Sequence, residues 1–232
     1  MSLRLVMMGT GEFALPTFLG LLNSGRQVVG LFTQPDRTGR GHHRHVNLLK
    51  EAALSRGIAV FQPEKVNAPE SLAELRALQP DLCVVAAYGQ ILSAELLQIP
   101  RLGAVNVHAS LLPKYRGAAP VQYTVLNGEK ETGVTIFQIE PRLDAGPILA
   151  VDRTSIGEKE TAGQGELRLS RMSVELVRDV LDRFEAGTIQ PVPQDSSMVS
   201  RAPRIPKSLG QIDWSKSAAE LDCHVRAMQP WP

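Results

Sequence analysis

Two polar side chains, Asn106 and His108, stand at the end of an otherwise apolar run at residues 103–108. Residues two apart on a strand point to the same side of a sheet. Open α/β sheets bind ligands at the carboxyl ends of their strands, where this pair would lie. The imidazole could exchange a proton, and the amide could donate a hydrogen bond to a developing oxyanion. A histidine that caps the following loop explains the same pattern equally well.

A carboxylate that could act with His108 comes from a second turn. Asp144 lies between the apolar runs at residues 132–139 and 146–154. Near His108 it would orient the ring and raise the pKa of the imidazole. Asn106, His108 and Asp144 together suit acyl transfer to an amine without a covalent enzyme intermediate. The sequence contains no GxSxG motif, and Cys83 lies inside an apolar run. Routine turn chemistry is the alternative for Asp144, because aspartate is common in turns.

A glycine-rich turn follows the first apolar run. Gly9, Gly11 and Ala14 match the dinucleotide-binding fingerprint in outline, and Asp36 follows at about the 20-residue distance of a ribose-binding carboxylate. We interpret the motif as a tight turn near a ligand or a substrate phosphate. A purely structural turn that lets the helix pack closely remains at least as good an explanation, and NAD binding is a further alternative.

A long basic loop follows the second apolar run. Its glycines and like-sign charges favour a mobile loop that touches a phosphate-bearing substrate, although a solvated cationic loop is the alternative. The loop lacks carboxylates and a spacing that would make its histidines converge, so we predict no metal site. The candidate substrate-binding residues are Arg37, Arg40, His42, His43 and Arg44.

Alternating strand and helix patterns would position these groups. Five short apolar runs, at residues 3–8, 28–33, 58–61, 81–87 and 103–108, alternate with helical patterns. This rhythm predicts a doubly wound, mostly parallel α/β sheet. Two further strands and a long helix at about residues 159–186 follow. We therefore expect a catalytic domain at residues 1–190, then an extended segment and a helix at residues 191–232 that lead to a linker.

Composition excludes several classes of protein. The 232 residues carry a net charge of only +1, so any nucleic-acid binding must use a local basic patch. The two cysteines, Cys83 and Cys223, are too few and too far apart for a disulfide framework. The N-terminus is typical of a first strand and lacks the pattern of a signal peptide, and no apolar run reaches membrane-spanning length. We expect a cytoplasmic protein without a membrane partner, and a monomer.

Two segments identify a family resemblance. NVHASLLPKYRGAAPVQ at residues 106–122 and NGEKETGVTIFQIEPRLDAGPIL at residues 127–149 resemble the folate-dependent formyltransferases, which use an Asn–His–Asp catalytic set. The resemblance covers essentially the whole chain. It is strongest to the members that act on methionyl-tRNA, and it implies the Rossmann-like formyltransferase fold.

The resemblance also implies a reaction. The formyl donor would be 10-formyltetrahydrofolate, and the acceptor would be the α-amine of methionine on initiator methionyl-tRNA. Asn106 and a protonated His108 would stabilise the tetrahedral oxyanion, while Asp144 would sustain the charge on His108 and help a proton move to N10 of the folate. The basic loop would contact tRNA. The implied folate-binding residues are Tyr88, Gly89, Gln90, Ile91, Leu92, Ser110, Leu111, Leu112 and Pro113.

Three departures from the family pattern keep other acceptors open. HHRHVNLLK stands where the family has a lysine-rich run, and Arg142 and Ala145 stand where it usually has glycine and threonine. The sequence stops at residue 232, where the family normally continues into a small β-barrel domain, so we expect weak tRNA affinity. A nucleotide-linked amino sugar or another small amine is the alternative acceptor. A dinucleotide-binding oxidoreductase is a third possibility.

Overall fold

A twisted sheet organises the chain. The computed structural model describes residues 2–36 and 46–232. Within them the sheet has seven strands in the order β3-β2-β1-β4-β5-β6-β7. The first five in this order are parallel, and β6 runs antiparallel to both of its neighbours, β5 and β7. The strands are β1 (Arg4–Gly9), β2 (Gln27–Phe32), β3 (Val60–Phe61), β4 (Leu82–Ala86), β5 (Ala104–His108), β6 (Glu131–Gln138) and β7 (Ile148–Ser155).

Helices cover both faces of this sheet. They are α1 (Gly11–Leu22), α2 (Leu48–Ser55), α3 (Pro69–Ala77), α4 (Ala94–Leu97), α5 (Pro120–Leu126), α6 (Ala162–Ala186) and α7 (Ala218–Ala227). Residues of α1, α2 and α6 pack on one face, and residues of α3 and α4 pack on the other. The predicted doubly wound, mostly parallel sheet is confirmed.

Strand β1 shows why the apolar runs are nearly continuous. Leu5 and Met7 belong to the core under α1 and α6, whereas Val6 and Met8 belong to the core under α3. Successive side chains point to opposite faces, and each face is buried, so every position must be apolar. The same constraint makes a polar residue inside β5 conspicuous.

Two helices were not predicted from the sequence. They are α4 and α5, whose four and seven residues are too few to show a helical period. Helix α1 begins at Gly11 and contains Pro16. The chain enters α1 directly from β1 through Gly9, where an added Cβ would lie 2.9 Å from the Ala14 Cβ and 3.1 Å from the Ala86 carbonyl oxygen. This crowding supports the structural interpretation of the glycine-rich turn.

In the described part of the chain, no helix is long and apolar enough to cross a membrane.

The core under α1 provides a stability test. Leu21 faces this core with 2% of its surface exposed, whereas Leu19 on the same helix is 39% exposed. Leu21→Ala should lower the free energy of unfolding by roughly 2–5 kcal/mol, because it deletes buried methyl groups and leaves a cavity. Leu19→Ala is the matched control and should cost less than about 1 kcal/mol. Urea unfolding followed by circular dichroism measures both, and equal losses would contradict the packing described.

Candidate active site

Asn106 and His108 lie on β5 as predicted, on the face of the sheet that α3 and α4 cover elsewhere. Asn106 is half-buried and pairs with Phe137 of β6, and His108 is buried and pairs with Thr135. Within the described residues, the Asn106 amide makes no side-chain hydrogen bond, so its N–H groups can donate to a bound molecule.

A backbone carbonyl determines which nitrogen of His108 is basic. His108 Nε2 lies 2.9 Å from the Tyr115 carbonyl oxygen. A carbonyl only accepts hydrogen bonds, so Nε2 carries the hydrogen and Nδ1 of the neutral ring keeps its lone pair. His108 Nδ1 faces Asp144, with its Oδ2 atom 3.9 Å away. The ring can therefore accept a proton on the side that faces the carboxylate.

Burial controls the charge of His108. Removal from water lowers the pKa of the imidazole below its usual value, and this effect outweighs Asp144 and the Tyr115 carbonyl, which both raise it. Asp144 raises the pKa of the imidazole as expected, but the larger effect of burial was not anticipated from the sequence. The ring is neutral at neutral pH and has the lone pair that a general base needs.

Asp144 reaches His108 by a loop that folds back over the sheet. Strand β6 runs antiparallel to β5, so its last residue, Gln138, pairs with Val105 at the start of β5. The β6–β7 loop must then return along β5, about 10 Å at the rise of a strand, to bring Asp144 to His108. The Gly117 N–H donates to Asp144 Oδ2 at 2.8 Å and holds the carboxylate there.

Both ends of that contact use left-handed backbone. Asp144 has φ +46, which is unusual for a residue with a side chain. Gly117 has φ +128, and a Cβ at this position would lie 2.4 Å from the Ala202 carbonyl oxygen. Only glycine fits there without displacing the backbone.

The loop after β5 supplies the Tyr115 carbonyl, whose role was not recognised from the sequence. Tyr115 has φ +64, and its hydroxyl donates to Glu129 Oε1 at 2.8 Å. Burial raises the pKa of Tyr115 to about 12, so the phenol stays protonated and remains a donor. The buried Thr135 hydroxyl donates to the Ser110 carbonyl at 2.7 Å and accepts from the Leu112 N–H at 3.2 Å.

The extended segment at residues 192–202 also contacts the site. Gln194 Nε2 donates to the carbonyl oxygens of Asp144 at 2.9 Å and Gly146 at 2.8 Å. Ser200 Oγ accepts from the Tyr115 N–H at 2.9 Å, and the Ser200 carbonyl accepts from the Arg116 N–H at 2.9 Å. The sequence analysis placed these residues outside the catalytic domain, because an irregular segment carries no pattern that predicts its contacts.

The predicted folate-binding residues come from two connections beside β5. Residues 88–92 follow β4, and Ser110, Leu111, Leu112 and Pro113 follow β5. Tyr88 is buried and Ile91 is 80% exposed. Within the described residues, the backbone N–H groups of residues 88–92 and 142–144 donate no hydrogen bonds. These two runs of free peptide groups flank β5 and can pair with the edge of a heterocycle.

Two other groups of candidates have different outcomes. The basic-loop residues Arg37, Arg40, His42, His43 and Arg44 lie outside the described residues. The Asp36 carboxylate pairs with Lys50 and accepts a hydrogen bond from Gln62 Nε2 at 2.9 Å, which does not favour a role in binding a ribose. No group of three or more His, Cys, Asp or Glu side chains in residues 2–36 and 46–232 could hold a metal ion.

Sequence comparison covers the whole chain. Residues 3–181 match the sequence model described as formyl transferase, and residues 204–232 match the one described as formyl transferase, C-terminal domain. The chain is 47% identical over 232 residues to the methionyl-tRNA formyltransferase of Citrifermentans bemidjiense, with 100% of this chain and 73% of that protein covered. It is 46% identical over 231 residues to that of Methylococcus capsulatus, with 99% and 75% covered.

Solved structures share the fold. A 4-N formyltransferase from Francisella tularensis matches with a TM-score of 0.76 at 16% identity, over 98% of this chain and 90% of that one. An N-formyltransferase from Helicobacter canadensis, in complex with folinic acid and dTDP-3-aminofucose, matches with a TM-score of 0.73 at 21% identity, over 97% and 80%.

The charge of His108 can be measured directly. We expect the His108 imidazole to titrate below the ordinary histidine pKa of about 6.5, because burial disfavours its charged form. Asp144→Asn should lower the pKa further, since it removes the negative charge that favours the protonated ring. Nitrogen-15 NMR titration of histidine-labelled protein measures both values. A rise in the His108 pKa in Asp144→Asn would contradict the geometry described.

Proposed function

Because the chain belongs to the formyl transferase family, we propose that it transfers the formyl group of 10-formyltetrahydrofolate to the α-amine of methionine on initiator methionyl-tRNA. The observation that carries the choice of acceptor is the 47% and 46% identity to methionyl-tRNA formyltransferases. The two amino-group formyltransferase structures are only 16% and 21% identical and share the fold alone.

The reaction begins with attack by the neutral amine of methionine on the formyl carbon. A carbon–nitrogen bond forms, and the carbonyl oxygen of the formyl group becomes an oxyanion. Asn106 donates a hydrogen bond to this oxygen, which is the role that its unbonded amide supports. Because the amide is fixed on a strand, the donor is in place before the charge develops.

His108 then moves the proton. Nδ1 of the neutral ring accepts a proton from the attacking nitrogen, whose basicity falls once it has formed the new bond. Asp144, 3.9 Å away, stabilises the resulting imidazolium inside a buried site. The ring passes the proton to N10 of the folate, and the carbon–N10 bond breaks to leave formylmethionyl-tRNA and tetrahydrofolate. His108 acts first as a base, which revises the expectation that it is already protonated when the reaction begins.

The folate lies beside these groups in the proposal. The unpaired N–H groups of residues 88–92 and 142–144 support binding of the pterin edge between the two connections. The loop at residues 110–113 would form the bottom of the folate-binding site, because Ser110 and Leu112 are buried directly after His108.

The tRNA would contact the basic loop at residues 34–45, as the sequence resemblance implies. The catalytic domain at residues 1–190 would be completed by the following segment at 191–232, since Gln194 and Ser200 of that segment bond to the loops beside His108. Residues 204–232 match the C-terminal domain model. The protein would act as a monomer in the cytoplasm, where charged tRNA is present.

An acceptor competition tests the proposal. The protein is supplied with 10-formyltetrahydrofolate and either methionyl-tRNA or a dTDP-linked amino sugar, and formylated product is measured by mass spectrometry. We expect methionyl-tRNA to be formylated with a kcat/KM at least about 100-fold higher than the sugar. Faster formylation of the sugar would make the chain a sugar formyltransferase, and no transfer to either acceptor would contradict formyl transfer altogether.

Substitutions of the three polar residues test the mechanism. His108→Ala and Asp144→Ala should each lower kcat by about 10²–10⁴, because each removes part of the proton transfer. Asn106→Ala should lower kcat by about 10²–10³ through loss of an oxyanion donor. His224→Ala is the control, since His224 is also a buried histidine whose Nε2 bonds a backbone carbonyl, that of Leu209, but it lies on α7. A near-normal kcat in His108→Ala would contradict the proposed mechanism.

A further inference from the structure

We propose that Gln194 is a positioning residue for formyl transfer. Its amide ties the loop that carries Asp144 to Arg116, and so keeps the Asp144 carboxylate directed at His108. The inference rests on the proposed function, because it gives Gln194 a part in the same reaction.

Both the oxygen and the nitrogen of the Gln194 side-chain amide form two hydrogen bonds each. Its Oε1 atom accepts from Arg116 Nε at 3.1 Å and from Arg116 Nη2 at 2.7 Å. Its Nε2 atom donates to the carbonyl oxygens of Asp144 at 2.9 Å and Gly146 at 2.8 Å. A primary amide has two N–H donors and two acceptor lone pairs, so the group is fully used. A side chain that merely lay on the surface would leave some of this capacity to water.

The loop needs such a tether. Asp144 holds a left-handed backbone with φ +46, a conformation that persists in residues with side chains only where the surroundings impose it. The base of the loop is closed by the Gln138 N–H bond to the Pro147 carbonyl at 3.0 Å. Near its tip, Gln194 holds the backbone and the Gly117 N–H holds the Asp144 carboxylate. Both contacts lead to the same stretch of the loop after β5, at Arg116 and Gly117.

Gln194 itself is held on both sides. Val192 exchanges two backbone hydrogen bonds with Ile148, each 2.8 Å long. Further along, Ala202 donates to the Arg116 carbonyl at 2.7 Å and accepts from the Ala119 N–H at 3.1 Å. The segment between these anchors is therefore placed before any substrate binds. A fixed Gln194 can hold a loop whose own internal bonds are few.

Loss of the two amide donors should act on catalysis more than on binding. The Asp144 carboxylate would move relative to His108 Nδ1, and the imidazolium would lose its counter-charge. The tRNA would still meet the residues assigned to it, since Gln194 is not among them. The folate is different, because the backbone N–H groups of residues 142–144 that would bind it lie on the loop that Gln194 tethers. The expected signature is a fall in kcat with little change in the KM for methionyl-tRNA.

Two variants and a control separate the parts of the amide. Gln194→Leu removes all four hydrogen bonds, while Gln194→Glu removes the two donors and keeps an acceptor for Arg116. We expect both to lower kcat by about 10- to 100-fold, with the KM for methionyl-tRNA within about twofold of that of the unchanged protein. Gln190→Leu is the matched control, because Gln190 is exposed and makes no side-chain hydrogen bond within the described residues. Its kcat should stay within about twofold.

A double-mutant cycle shows whether Gln194 acts through Asp144. In single-turnover assays, Gln194→Leu added to Asp144→Asn should slow the reaction by less than about twofold, because the contact it supports is already lost. Full additivity of the two effects would overturn the inference, as would unchanged kcat in Gln194→Leu. A loss of activity matched by a fall in melting temperature of more than about 10 °C would assign Gln194 to folding alone.

A measurement of the His108 pKa without substrates tests this inference independently of the proposed function. In residues 2–36 and 46–232, Asp144 is the charged side chain that faces His108, Tyr115 contributes its carbonyl, and Phe137 lies edge-on at 6.2 Å between ring centroids. Gln194→Leu should therefore lower the His108 pKa measured by NMR, and an unchanged value would overturn the inference. Absence of formyl transfer by the unchanged protein would instead contradict the proposed function.

Discussion

The hydrogen bond from His108 Nε2 to the Tyr115 carbonyl is the contact on which the rest of the site depends. It assigns the proton of the ring, and so leaves Nδ1 as the basic atom on the side of Asp144. The carbonyl is presented by a left-handed residue whose phenol is bonded to Glu129. Asn106, two residues earlier on the same strand, then lies beside a base of known direction. Placing three side chains near one another would not have been enough, because a ring of the other tautomer would carry its hydrogen on Nδ1 and could not accept a proton on the side of Asp144.

Burial and charge oppose each other at this site. A buried imidazole resists protonation, whereas the Asp144 carboxylate favours it, and desolvation has the larger effect on the pKa of His108. The balance gives a ring that is neutral at rest and still has a counter-charge for the moment when it accepts a proton. A more exposed histidine would be partly charged before the amine arrived. A buried histidine without a carboxylate would be a weaker base.

The sheet was predictable from the sequence because the central parallel strands, such as β1 and β4, are buried on both faces and form short apolar runs. Asn106 and His108 stood out against that background. Tyr115 could not be found in the same way, since a backbone carbonyl leaves no mark on residue type. Gln194 was missed because irregular segments have no period, and α5 because it is only seven residues long. The sequence suggested that Asp144 raises the pKa of His108, but it could not show that burial lowers this pKa by more, because residue types do not tell how much water is excluded.

Residues that complete the site are widely separated along the chain: β5 and its loop, the turn with Asp144, and the segment at residues 192–202. A ribosome releases these parts in that order. A nascent chain can therefore build the five parallel strands, and even place the histidine, well before the glutamine that steadies the carboxylate has been synthesised. The chain would become catalytically active late in translation, after the sheet and the long helix α6 have been synthesised. Shortened chains that end before Gln194 and still fold would therefore be poor catalysts.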